Sequence, residues 1–331
     1  MNLSSLLACR RTILAAAPVL VAAMAAPWAA AQSDFPSRPI KIIIGYPPGG
    51  SVDFVGRVVG EALGKHLQAT IVIDNQGGAA GTIATQRTVG SPADGYTLLL
   101  GSSNELAGTG AINKVQKYDA QKDLYALGLV GTAPVLLVAG PKGKVKTTGE
   151  LIDAARRMPG QFSYGSSGVG SSLHFAGELF KQKAGVFMTH IPYRGVAPLT
   201  SDLAGGNIEL GVLSLNAALP FLQTGRLTAL GVTSAKRLPS LPNVPALGEH
   251  PALKGYELVG WFSLMAPRKL PPEIAQKISQ ALQASLQEPD VRRKLDEMGI
   301  FAATGKEDLP ALIRQETAKY IGLAEYANIR D

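Results

Sequence analysis

Four segments set glycines and hydroxyl residues directly ahead of a stretch with helical spacing: Tyr46 to Asp53, Asn75 to Thr82, Gly101 to Asn104 and Gly165 to Ser172. Glycine lets the main chain approach a bound molecule closely, and a helix start offers unpaired N–H groups at the positive end of a dipole. Such a segment can hold an anion without Lys or Arg. Ser and Gly in these places are also ordinary caps and turns, so each segment alone is ambiguous. Four of them, spread over both halves of the chain, favour one shared site.

Catalytic patterns are incomplete. Around Ser167 the nucleophile elbow G-x-S-x-G lacks its second glycine, and Gly168-Val169-Gly170 opens a dinucleotide fingerprint whose third glycine would fall at Leu173. There is no G-x-x-x-x-G-K-[ST]. His66, His174, His190 and His250 stand far apart with no H-E-x-x-H, so no metal site is expected. Asp53, in the first turn of a helix, is a general base by type and equally a dipole partner. His174, just inside a helix, faces the cleft or packs at the helix start. An enzyme is therefore not expected, although a hydrolase using Asp53 or His174 stays as an alternative.

The N-terminus reads as an export signal over 1–31. Arg10 and Arg11 precede an uncharged run from Ile13 to Ala26, and Ala29-Ala30-Ala31 offers a cleavage site near Ala31. The run is too short for a bilayer core of about 30 Å. The paired arginines leave Sec and twin-arginine export both open. Cys9 is the single cysteine and falls inside this segment, so the exported chain has no disulfide, thiolate nucleophile or Cys-bound zinc. The net charge of +7 includes those two arginines, and no basic run follows them, so nucleic acid is not an expected partner.

The elements that must carry the four segments alternate. With 46% hydrophobic and 17% charged residues, the 331-residue chain is globular and long enough for two folded units. Ile40–Ile44, Thr70–Ile73 and Tyr96–Leu100 read as strands, with helices over Val52–Leu67 and Thr82–Val89 between them. The pattern restarts after two apolar runs in 127–139, broken at Gly131. Helices over Glu150–Arg157 and Ser172–Ala184 then alternate with strands over Phe162–Tyr164, Thr189–Tyr193, Ile208–Leu213 and Leu227–Thr233. A proline-rich loop, a strand over Trp261–Ala266 and helices over Pro272–Leu286 and Leu309–Leu323 close the chain. The expectation is an α/β protein of two lobes, 34–133 plus 262–331 and 134–261, each a mostly parallel sheet flanked by helices.

Longer stretches resemble the Bug family, the substrate-binding proteins of tripartite tricarboxylate transporters. They are Pro39 to Asp53, Pro92 to Leu99, Tyr164 to Gly168 with His174 and Glu178-Leu179-Phe180, and His190 to Gly195. Gly225-Arg226-Leu227, Leu230 to Thr233, Arg237, Leu241 to Pro245 and Trp261-Phe262 continue the series. The resemblance implies a periplasmic, two-lobed type II binding protein of the Venus flytrap kind. It would close over a small carboxylate in the inter-lobe cleft and deliver it to integral membrane transporter subunits, without a cofactor. Carried over by position, the ligand-binding residues would be Tyr46, Gly49, Ser51, Asp53, Ser102, Ser103 and Asn104 from one lobe. Gly168, Gly170, Ser171, Ser172 and His174 would face them from the other, with Gly195, Ala197 and Asn216 as further wall residues. Gln76-Gly77, Gly45 and Ala246 depart from the family pattern and bear on the shape of the pocket. A monomer is expected, and an exported sensor signalling to a membrane partner is the alternative that starts from the same binding event.

Overall fold

A computed structural model describes residues 35–112 and 116–329; the expected export signal lies outside the described residues. The first sheet has six strands in the order β11-β4-β10-β3-β1-β2. They are β1 Ile40–Ile44, β2 Ile71–Asn75, β3 Thr97–Ser102, β4 Leu124–Ala133, β10 Gly260–Pro267 and β11 Phe301–Ala302. The second has five, in the order β7-β6-β8-β5-β9. These are β5 Val135–Ala139, β6 Ser163–Ser166, β7 Thr189–Pro192, β8 Leu210–Ser214 and β9 Thr228–Val232. The chain leaves the first sheet after Ala133, passes Pro134, and returns to it at Gly260.

The helices, in chain order, are α1 Ser51–Leu67, α2 Thr82–Val89, α3 Thr109–Ile112, α4 Ala120–Asp123, α5 Thr148–Arg157 and α6 Ser172–Ala184. They continue with α7 Val196–Ala204, α8 Leu215–Gln223, α9 Pro272–Gln287, α10 Pro289–Glu297 and α11 Leu309–Tyr326. Helix α1 shows why the sequence folds this way. Val55, Val59, Ala62 and Leu63 recur at helical spacing and are buried, each larger side chain contributing roughly 1.5–3 kcal/mol. Gly56 on the same face leaves room for the Ile44 side chain, which a Cβ there would overlap. Around β5 and β8, Leu136, Val138, Leu199, Leu203, Leu213 and Val232 form a second core.

The parallel arrangement holds where strand alternates with helix: β1 with β2 and β3, and β6 with β7 and β8. Elsewhere the sheets are antiparallel, because β10 re-enters between β3 and β4, and β5 pairs with β8 and β9. Both sheets are thus mixed. The break in 127–139 falls at Pro134, not Gly131, since Gly131 keeps its place in β4 opposite Phe262. Of the helices longer than one turn, α7, α8 and α10 lack a counterpart in the sequence reading. Pro198 and Pro220 sit within the first two, and proline normally marks a break.

Candidate functional site

The strand ends and helix starts converge on a cleft of about 400 Å³, the size of a small-molecule site. Tyr46, Pro47, Pro48, Gly50, Ser51 and Val52 come from the β1–α1 connection, and Ser102, Ser103 and Asn104 from the end of β3. Ala133, Gly260, Trp261 and Phe262 form another side. Val135, Ser167, Ser171, Ser172, Leu173, Val196 and Ser214 complete the lining from the segments of the second sheet. None of these side chains is charged.

The electrostatics of the cleft therefore come from the main chain. Helices α1, α6, α7 and α8 begin at Gly50, Ser171, Gly195 and Ser214, and each contributes a lining residue from its cap or first turn. Three of them, α1, α7 and α8, have no side-chain hydrogen bond at the cap. Their first N–H groups have no acceptor within the helix, and each terminus carries roughly half a positive charge. These three ends, with the dipole of α6, whose Ser172 and His174 N–H groups go to Asn104 Oδ1 and Ser171 Oγ, make a site for an anion.

Buried polar groups hold these loops in shape. Asp53 accepts from Gly49 N–H at 2.9 Å, Arg57 Nε at 3.0 Å and Asn75 Nδ2 at 3.0 Å. The Arg57 hydrogen bond, helped by those from Gly49 and Asn75 and opposed by burial, brings its carboxyl down to about 2. In the 166–172 loop, Gly170 N–H donates to His174 Nδ1 at 3.1 Å. The His174 ring stacks on His190 with centroids 3.7 Å apart, and His190 Nε2 lies 2.7 Å from Ser166 Oγ. Burial first, then Lys181, lowers His174 to about 4; burial, then His174, lowers His190 to about 3.

Of the residues singled out from the sequence, Tyr46, Ser51, Ser102, Ser103, Asn104, Ser171 and Ser172 line the cleft. Asp53 and His174 do not: each points into the protein and takes a main-chain N–H. Gly49, Gly168, Gly170 and Gly195 have φ of +86°, +136°, +72° and +111° and shape the turns without lining the cavity. Ala197 and Asn216 are exposed, while Val196 and Ser214 beside them reach the cleft. Ser214 stands ahead of α8 as Ser171 stands ahead of α6, but Pro220 hid that helix in the sequence, and Ser214 with it. The apolar wall of Val135, Leu173, Trp261 and Phe262 had no sequence signal separating it from core.

A second cavity of about 430 Å³ lies on the other side of Trp261. Unlike the cleft it is lined by charged side chains, of which Arg237 pairs with Glu249 and Lys319 with Glu316, and no helix start lines it. Among the described residues, no group of three His, Cys, Asp or Glu is placed to hold a metal, and no helix is long and apolar enough to cross a membrane.

Two helix-flanked mixed sheets with a cleft at convergent helix N-termini have the architecture of a periplasmic solute-binding protein. Residues 55–328 match the family described as tripartite tricarboxylate transporter family receptor, TctC. The protein BugT of Bordetella pertussis is 35% identical over 309 residues, 92% of this chain and 90% of that one. Among solved structures, R. palustris Rpa4515 with adipate matches at a TM-score of 0.78 and 32% identity, covering 89% of this chain and 99% of that one. MatC (Rpa3494) from Rhodopseudomonas palustris with bound malate matches at 0.75 and 27%, covering 87% and 99%. The chain belongs to the TctC, or Bug, family of periplasmic receptors for tripartite tricarboxylate transporters.

Proposed function

We propose that this protein captures a small carboxylate-bearing metabolite in the cleft and presents it to the integral membrane subunits of a tripartite transporter. The observation that carries this reading is the convergence of four helix N-termini on a cavity lined by no charged side chain. A carboxylate docks on the N–H groups of one unit, and the other unit adds its own donors. The state that makes both sets of contacts is thereby selected. The moving lobes are 34–133 plus 262–331 and 134–261, with the crossings at Pro134 and before Gly260 as hinges. Each charge-assisted hydrogen bond in such a site is worth roughly 1.5–3 kcal/mol, so four or five support micromolar binding after the costs of closure.

The export signal over 1–31 is removed near Ala31, and the receptor works in the periplasm as a monomer. It performs no chemistry on its ligand: Asp53 and His174, the residues a hydrolase would use, are occupied in holding Gly49 and Gly170. A thermal-shift screen of residues 32–331 against mono-, di- and tricarboxylates tests the reading. A ligand at 100 times its Kd adds about 2.7 kcal/mol of stability. A panel without any shift would sink the proposal.

A further inference from the structure

Of the four glycine and hydroxyl segments, Asn75 to Thr82 contributes nothing to the cleft lining. It leaves β2, which stands three places from β10 in the first sheet, and β4 and β10 carry the crossings. Its counterpart in the second sheet is β7, three places from β5, which leads into the 191–198 segment. Both segments flank the cleft on the side away from the crossings. Gly77 lies against Pro47, where a Cβ would stand 3.4 Å from Cδ, and Val196 is itself a lining residue. The crossings close one side of the cleft, so a ligand enters and leaves past these two segments.

Each segment turns outward features that its own fold leaves unused. Ala79 and Ala80 have φ of +45° and +51°, the left-handed region that is costly for a residue with a Cβ and that clusters at functional sites. Both are exposed, so no burial offsets the cost. The turn is held by Gly81 N–H donating to Gly78 O at 3.0 Å and Thr82 Oγ1 donating to Ala79 O at 2.8 Å. Beside it Ile83 is 55% exposed, and Ile191 in the other segment is 37% exposed. The guanidinium of Arg194 is exposed and has no hydrogen bond or ion pair among the described residues. The acid that this segment does contact, Asp202, accepts from Tyr193 Oη and Asn207 Nδ2 instead.

Between them, 76–83 and 191–198 carry one charged side chain, Arg194. An anionic bilayer surface is met by clusters of four to eight cations. Exposed aliphatic side chains, bare main chain and one unpaired guanidinium suit a protein surface of apolar residues with a carboxylate placed for that guanidinium. We propose that these two segments are the docking surface for the integral membrane subunits of the transporter, whose contact face is apolar with an acidic residue opposite Arg194. One segment belongs to each lobe, so the spacing of the two follows closure. This rests on the delivery reading above and names the surface and the chemistry of the partner.

The test combines binding, uptake and cross-linking. Calorimetry of Ile83→Ser and Arg194→Glu with the carboxylate that the parent binds is expected to give affinities within about threefold of the parent. Uptake of the same carboxylate by cells carrying either variant in place of the parent is expected to fall at least roughly tenfold. Unchanged uptake in both variants overturns the proposal, as does a loss of ligand affinity as large as the loss of uptake, which would put the residue to work in the cleft. The exported chain has no cysteine, so benzophenone maleimide on Ile83→Cys, Arg194→Cys and, as a control far along α5, Met158→Cys maps the contact on spheroplasts. The expected adduct is an integral membrane subunit of the transporter, from positions 83 and 194, stronger with the carboxylate than without, and absent from 158. Adducts with lipid, with a second copy of this chain or with another protein, or no adduct from either position, overturn the docking surface while the calorimetry on the parent leaves the carboxylate reading standing. A parent that binds no carboxylate overturns that reading instead, and the cross-links then decide the docking surface on their own.

Discussion

The amide N–H of Ser172 donates to Oδ1 of Asn104 at 3.2 Å. One residue opens α6 beside the second sheet and the other follows β3 in the first, so this bond bridges the two sides of the cleft. Asn104 also donates to Tyr46 Oη, and a single amide thereby ties three wall residues together. Asn104→Ala removes both bonds without touching the hydrophobic cores. Binding is expected to weaken roughly three- to tenfold, with unfolding stability within about 1 kcal/mol of the parent. Calorimetry and urea unfolding on the same preparations check the two halves of that statement.

Asp53 is where sequence reasoning allowed a base and the structure shows a clamp. Asp53→Ala leaves Gly49 N–H and Asn75 without their acceptor. The variant is expected to lose about 2 kcal/mol of stability and to bind more weakly, because the 46–50 loop loses its tether. A variant as stable as the parent would contradict the clamp.

The stacked pair His174 and His190 sets an acid limit on the fold. Their pKa values in the folded protein, about 4 and about 3, lie below the unfolded value of about 6.5. Below pH 6.5 the unfolded chain takes up protons that the folded chain refuses, so stability falls as pH drops from about 6.5 toward 4. At pH 5 the loss from His174 alone is about 2 kcal/mol. Urea midpoints at pH 7, 6 and 5 should decline steadily, before most carboxylates begin to titrate. Equal midpoints at pH 7 and 5 would rule the account out.

Gly81 carries a demand of geometry and a demand of space. Its φ is +89°, and a Cβ would press on the Glu105 carboxyl group. Gly81→Ala is expected to lower stability by at least about 2 kcal/mol, the left-handed backbone accounting for about 1–2 of that. A loss below 1 kcal/mol would show that Glu105 can move aside.

Helical and strand spacing made the scaffold legible, because Val55, Val59 and Leu63 bury one face and Ile40 to Ile44 fill a strand. The site was only half legible. A Ser or Gly before a helix announces a turn at a helix start, and Ser51, Ser102, Ser171 and Ser172 from such segments line the cleft. Whether a polar side chain faces the cavity depends on neighbours distant in sequence. Asp53 is drawn inward by Asn75, and His174 by His190 across a strand. Glu105 looks like any surface acid until Gly81 and Tyr46 close over it.

The central claim is tested most directly by titrating the carboxylate that gives the largest thermal shift into residues 32–331 and into Ser171→Asp. Aspartate caps a helix as well as serine does, so the variant is expected to unfold cooperatively at nearly the parent midpoint. It also puts a negative charge at the start of α6 in the cleft. The account predicts one micromolar site in the parent and at least a hundredfold loss in the variant. Equal affinity in the two proteins would contradict it.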